Sequence, residues 1–245
     1  LRLPGRHEAV ESVAAKPPLD ALERYREAVD FLAGYVTEQG YPTRFALESK
    51  PDEWTSDSFL PTTGHALAFL ETLSHREVMG LGWVVGPGAH HGVAHAVAAD
   101  KVIHVGLGAR LAGHHTKCFG TASAHDTFFL VKLLEDSGYG GPLEFAIGPH
   151  HVDDPDEVGE YAVGCMRTYN AFAAKAKRYA DDPAIRDALA ESGALELAEP
   201  TIGPYSAEAG RTLSIEHFDP EALADRRYRT QRLDQLVVEV VLGLR

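Results

Sequence analysis

Short apolar stretches alternate with helical ones through the first 150 residues of this chain, and few folds accommodate that order. "RFALES" at 44–49, "LGWVV" at 81–85, "VIHVGLG" at 102–108 and "LEFAIG" at 143–148 read as strands, and "LRL" at 1–3 as a fifth. Between them the apolar residues change period. Leu22, Tyr25, Val29, Leu32 and Val36 recur on one helical face, and Gly40 stops that helix. Thr62 or Thr63 caps a helix through Ala66, Phe69, Leu70 and Leu73. "HGVAHAVAAD" is a short helix, and "HDTFFLVKLLEDSG" is another with Gly138 past its end. Strand then helix, repeated, predicts an α/β protein with a parallel sheet.

The pattern changes near residue 150. Asp154-Pro155, Asp182-Pro183 and Asp219-Pro220 each put a capping Asp before a Pro suited to the first helical turn. The first opens a long helix with Val158, Tyr161, Cys165, Tyr169, Phe172 and Ala176 on one face. Residues 151–245 therefore read as an all-helical arm, and residues 1–150 as a separate βα domain. The chain opens at Leu1 inside strand-like sequence, as though cut from a larger architecture or preceded by further residues.

Composition narrows the function. A net charge of −13 argues against nucleic acid and anionic membrane surfaces, which both attract Lys and Arg. No apolar run approaches the ~18 residues of a membrane span, and no stretch reads as a signal peptide. Two cysteines, Cys118 and Cys165, cannot make a disulfide framework, which favours a reducing compartment such as the cytoplasm. Cys118 reads as a small buried residue. The glycines of "GLGARLAG" lack the spacing of a phosphate loop. The basic run "DRRYRTQR" at 225–232 suits ion pairs with a neighbouring arm better than nucleic acid.

Histidines supply the chemistry. His90 and His91, His114 and His115, and His150 and His151 each follow a strand-like segment. If these lie at one rim of a parallel sheet, imidazole suits Zn²⁺, Ni²⁺, Co²⁺ or Cu²⁺ better than Mg²⁺. Thirteen histidines also produce doublets by chance in polar loops, and no pair has a helical ligand spacing. A native metal site and no metal at all both remain open. His104, in mid-strand, reads as a structural histidine.

Several segments, taken in order, are recognisable. "FALESKP", "LPTTGHALAFLETL", "SGYGGPLEF", "GCMRTY" and "RLDQLVVEVVLG" resemble the xylose isomerases, also called glucose isomerases, of the actinobacterial type. The resemblance implies a partial TIM-barrel-like domain of about five parallel strands, where the full barrel has about eight, with an arm that embraces another subunit. It implies aldose–ketose isomerisation by a hydride shift assisted by a pair of divalent cations, Mg²⁺, Mn²⁺ or Co²⁺. It covers only the family pattern from about the fourth barrel strand onward. The earlier strands and the ring-opening histidine have no counterpart.

Position by position, the resemblance makes Glu48 a metal ligand, Lys50 the lysine beside the substrate oxygen, and Glu53 a further acidic residue contacting substrate. Elsewhere the implied ligands are lost. Val84 and Pro87 stand where the family has a metal-binding Glu and His. Gly106, His114, Thr116 and Ala146 stand where it has aspartates. Hard cations need several oxygen ligands in near-octahedral array, which one carboxylate cannot replace. The expectation is a truncated, degenerate relative with isomerase activity lost or greatly reduced. One alternative is a sugar isomerase or epimerase with a rebuilt site of Glu48, His90, His91, His114, His115 and His150. The other is a non-catalytic binding or structural module. All three readings carry a homo-oligomer, a dimer or a multiple of it, formed through residues 151–245.

Overall fold

The computed structural model describes residues 17–48, 59–85, 90–111, 115–121, 123–145, 154–191, 206 and 220–245. The chain divides into two compact units, Leu1–Asn170 and Ala171–Arg245.

The first unit carries the predicted α/β alternation. Helix α1 spans Pro18–Glu38, strand β1 Phe45–Glu48 and helix α2 Thr63–Leu70. A 3-10 turn at Arg76–Val78 leads into β2, Met79–Val85. Then come α3 (His90–Ala98), β3 (Val102–Leu107), β4 (Ala109–Leu111), β5 (His115–Lys117), α4 (Ala124–Asp136) and β6 (Leu143–Phe145). Four strands form one parallel sheet in the order β1-β2-β3-β6. Strands β4 and β5 form a separate antiparallel pair. Four of the five expected strands are thus found in a parallel sheet, and "LRL" lies outside the described residues. The β4–β5 pair is an addition. Its strands are three residues each and carry no apolar alternation that would have marked them.

Local chemistry explains the boundaries. Gly40 and Gly138 end α1 and α4 with φ of 66° and 67°, a conformation costly for any residue with a Cβ. The Thr62 side chain accepts the His65 N–H at the start of α2, and Ser123 accepts the Asp126 N–H at the start of α4. The core of the sheet is Leu47, Leu81, Val105 and Leu107, all buried, covered by Phe69 and Leu70 of α2, Val93 of α3 and Phe128, Val131 and Leu134 of α4. Helix α1 is tied down by Asp30, which accepts the Ser74 N–H at 2.7 Å, and by Tyr25, which stacks on Phe69 at 5.1 Å.

Helix α5 (Pro155–Tyr179) begins in the first unit and ends in the second, where α6 (Pro183–Glu191) and α7 (Pro220–Leu242) follow. Asp154 and Asp182 cap α5 and α6 through their Oδ1 atoms, as expected, while Asp219 lies outside the described residues. The second unit buries Phe172, Ala176, Tyr179, Ile185, Leu236, Val237 and Val240. Lys175 donates to the Val240 carbonyl at 2.6 Å, a cation at the negative end of α7.

Two expectations need correcting. Val158, expected on the apolar face of α5, lies exposed on its first turn, while Cys165 and Phe172 of that face are 2% and 8% exposed. Cys118 is only partly buried. Within the chain, Arg229 of the basic run pairs with Asp225 at 2.6 Å and Arg232 with Glu239 at 3.6 Å.

Two half-buried tyrosines of the first unit set a pH limit. Burial pushes Tyr25 up to about 12. Burial, reinforced by the charge of Glu135, does the same to Tyr169, whose hydroxyl donates to that carboxylate at 3.2 Å. The unfolded chain releases these protons near ~10. The stability they contribute is complete below that pH and lost as pH rises through about 12. Ultraviolet titration should show a late group of tyrosines ionising together with loss of helical circular dichroism. Uniform ionisation near ~10 in a still-folded chain would refute this.

Candidate functional site

The parallel sheet brings the carboxyl ends of four strands to one edge, where βα proteins place their ligand-binding groups. Register then decides which positions are neighbours. Glu48, the last residue of β1, pairs with Gly82. Val84 of β2 pairs with Gly106 of β3, and Gly106 pairs with Glu144 of β6. Strand alternation sends Leu47, Leu81, Val105 and Leu107 into the core. The opposite face carries Ala46, Glu48, Gly82, Val84, His104, Gly106 and Glu144 as register positions.

That face is shaped by a local irregularity. Leu81 pairs with Val102 but Gly82 pairs with His104, so Ile103 is an extra residue in β3. A bulge of this kind turns two successive side chains to nearly the same side. Both find glycine beneath them. A Cβ at Gly80 would come within 2.6 Å of Ile103 Cγ1, and one at Gly82 would run into the His104 ring. The two glycines are therefore required by the close approach of Ile103 and His104. His104 Nε2 lies 3.8 Å from Glu144 Oε2, with their side chains 30% and 64% exposed. A pair this exposed is worth ~0–1 kcal/mol at most, and only while the imidazole is charged. His104 is thus held by packing on Gly82, in keeping with a structural role.

Glu48 is half-buried at the end of β1 and has an interaction of its own. Lys50 and Glu53 lie outside the described residues. His90 and His91 form the first turn of α3, five residues past the end of β2, with His91 exposed. His115 opens β5, which follows closely on the carboxyl end of β3. His114, His150 and His151 lie outside the described residues. Topology therefore leads Glu48, the start of α3 and the β4–β5 pair off the same end of the sheet. Among the described residues, no three His, Cys, Asp or Glu side chains gather as a metal-holding group. The ligand pattern implied by the resemblance does not fit the described sheet. Val84 and Gly106, adjacent in register, have no side-chain donor between them.

One group of chemically active side chains escaped the sequence reading. Tyr161, Cys165 and Tyr169 recur every four residues along α5, and Phe119 packs against the last of them. The Phe119 ring lies 6.3 Å from the Tyr169 ring. The spacing on α5 was visible in the sequence; the approach of Phe119 was not.

No helix among the described residues is long and apolar enough to cross a membrane. No family model matches the chain. Among curated proteins, the xylose isomerase of Streptomyces lividans is 40% identical over 251 residues, an alignment that takes in 98% of this chain. The chain spans 63% of that enzyme's length, less than two thirds.

Proposed function

By sequence this chain belongs with the xylose isomerases, and from that premise we propose that it is a degenerate relative whose two-metal aldose–ketose isomerisation is lost or greatly reduced. The observation carrying this reading is the Val84–Gly106 pairing at the carboxyl ends of β2 and β3. These are the positions where the resemblance implies carboxylate ligands. A bound divalent cation would supply charge stabilisation to sugar oxygens during isomerisation. A Val and a Gly offer no side-chain oxygen to hold one, and Glu48 is a single carboxylate. The test is a xylose and glucose isomerisation assay with Mg²⁺, Mn²⁺ or Co²⁺ added, on the wild type and on Glu48→Gln.

A second reading is favoured by the position of His90 and His91 at the start of α3 and of His115 in β5. A rebuilt site using Glu48, these histidines, His114 and His150, with Lys50 and Glu53 contacting a sugar, would take Zn²⁺, Ni²⁺ or Co²⁺ in preference to Mg²⁺. Calorimetric titration in the same experiment separates the two. Borderline-metal binding that disappears in a His90/His91/His114/His115→Ala variant supports the rebuilt site.

Self-association completes the proposal. Among the described residues, β1 and β6 have no strand on their outer sides. Phe31 and Tyr35, one turn apart on α1, are 73% and 49% exposed. Open edges and exposed aromatic surface are commonly covered by a partner. A homodimer, or a multiple of it, is the expected state, with the helices of residues 151–245 contributing through Val163 and Met166 of α5. Light scattering on size-exclusion fractions should give at least twice the chain mass. A monomer at micromolar concentration would overturn this part.

A further inference from the structure

Helix α1 turns one patterned face outward. Arg24, Ala28, Phe31, Tyr35 and Glu38 recur at alternating steps of four and three, and all five are exposed. That spacing, about 3.5 residues on average, is the spacing of a seam that packs against another helix. Phe31 at its centre is 73% exposed and Tyr35 49%. Gly40, with a φ of 66°, turns the chain so that the Tyr41 N–H donates to the Val36 carbonyl. The Tyr41 ring then meets Tyr35 edge to face at 6.1 Å and is itself 50% exposed. The seam ends in opposite charges. Among the described residues neither Arg24 nor Glu38 has an ion-pair partner, whereas Arg26 of the same helix is held by Glu23 and Asp30.

We propose that α1 pairs antiparallel with α1 of a second copy of this chain, across a two-fold axis at Phe31. The inference rests on the self-association proposed above and names a surface for it. Pairing about Phe31 sets each seam residue opposite one about as far along the other way. Arg24 and Glu38 both lie seven positions from Phe31, so Arg24 faces the partner's Glu38 and Glu38 faces the partner's Arg24. Ala28 faces the partner's Tyr35, a small side chain that leaves room for a large one. At the axis Phe31 packs on its own copy. Parallel pairing would instead oppose like charges at both ends, so the charge pattern selects the direction as well as the register. The antiparallel arrangement also sets the positive end of each helix beside the negative end of the other. Removal of the exposed aromatic surface from water drives the contact, and the ion pairs at its rim fix its alignment.

Sedimentation equilibrium of the full chain tests the pairing. The wild type should associate at micromolar concentration. Phe31→Asp should weaken the association at least ~100-fold, because two carboxylates would meet at a desolvated axis. Arg24→Glu and Glu38→Arg should each weaken it ~10-fold, since either replaces two ion pairs by two like-charge contacts. Combined, they restore both pairs with the signs exchanged, and the association should return to within ~threefold of the wild type. All these positions are exposed, so circular dichroism of the variants should match the wild type. Phe31→Cys should give, under mild oxidation, a disulfide that joins tryptic peptide 27–44 to a second copy of itself. A monomeric wild type would overturn both this pairing and the self-association proposed above. Association of unchanged strength in Phe31→Asp and in both single charge reversals would overturn the α1 pairing alone, leaving the helices of residues 151–245 as the interface. A double variant no tighter than the single reversals would overturn the register, and the proposal with it.

Discussion

With excess Mg²⁺ the chain will isomerise xylose at least ~1000-fold more slowly than a complete xylose isomerase assayed beside it. The figure follows from what a Lewis-acid metal contributes to such a reaction, several kcal/mol, at a tenfold change in rate per ~1.4 kcal/mol. At the ends of β2 and β3, Val84 and Gly106 stand side by side where the resemblance implies two carboxylates. Ala146, in the residues that follow β6, lacks a donor as well. Any remaining rate should be insensitive to Glu48→Gln, because one carboxylate does not assemble an octahedral shell. Mg²⁺-dependent turnover within tenfold of the comparison enzyme, abolished by Glu48→Gln, would sink the proposed function.

The second large effect is on stability. Phe128→Ala should cost ~4 kcal/mol, the usual penalty for emptying a buried phenylalanine site. Phe128 is 0% exposed and sits on α4 one turn from Val131 and two from Leu134, which are 0% and 1% exposed. Its ring meets Phe129 edge to face at 5.5 Å, so removal leaves a void that its neighbours cannot close without shifting. Domains of this kind hold only ~5–15 kcal/mol in total. The urea midpoint of the first unit should therefore fall by ~1–2 M. Leu19→Ala is the control. That side chain is 80% exposed on α1, and its loss should change stability by less than ~0.5 kcal/mol. Equal effects from the two substitutions would show that α4 is not the core of this unit.

Element existence was largely legible because the signals are local. Thr62, Gly40, Gly138, Asp154 and Asp182 each act within a few residues of themselves, and each does in the structure what its residue type requires. The four strands of the sheet were likewise marked by continuous apolar runs. Failures came where the outcome depends on distant partners. The β4–β5 pair is made of "ARL" and "HTK", which have no strand signature alone and pair only because the chain returns on itself. The extra residue at Ile103 cannot be seen in "VIHVGLG", yet it decides that His104 lies over Gly82. The placement of Phe119 against Tyr169 of α5 depends in the same way on a turn and a helix far apart in sequence. For the site, the loss of donors at Val84 and Gly106 was readable from residue identity once the resemblance was recognised. Their adjacency needed the register.

The order β1-β2-β3-β6 has a kinetic consequence. Among the described residues, each strand of the sheet after β1 pairs with the one that precedes it in that sheet, so none of them waits for a strand made later. On a ribosome, which extends the chain at ~5–20 residues per second, such a sheet can grow in step with synthesis. β2 can dock on β1 before β3 exists, and each new helix covers apolar surface as it emerges. The longest wait falls before β6, because the β4–β5 pair and α4 intervene. During that interval β3 is the growing edge, and a pause in translation there would leave its backbone groups open to another nascent chain.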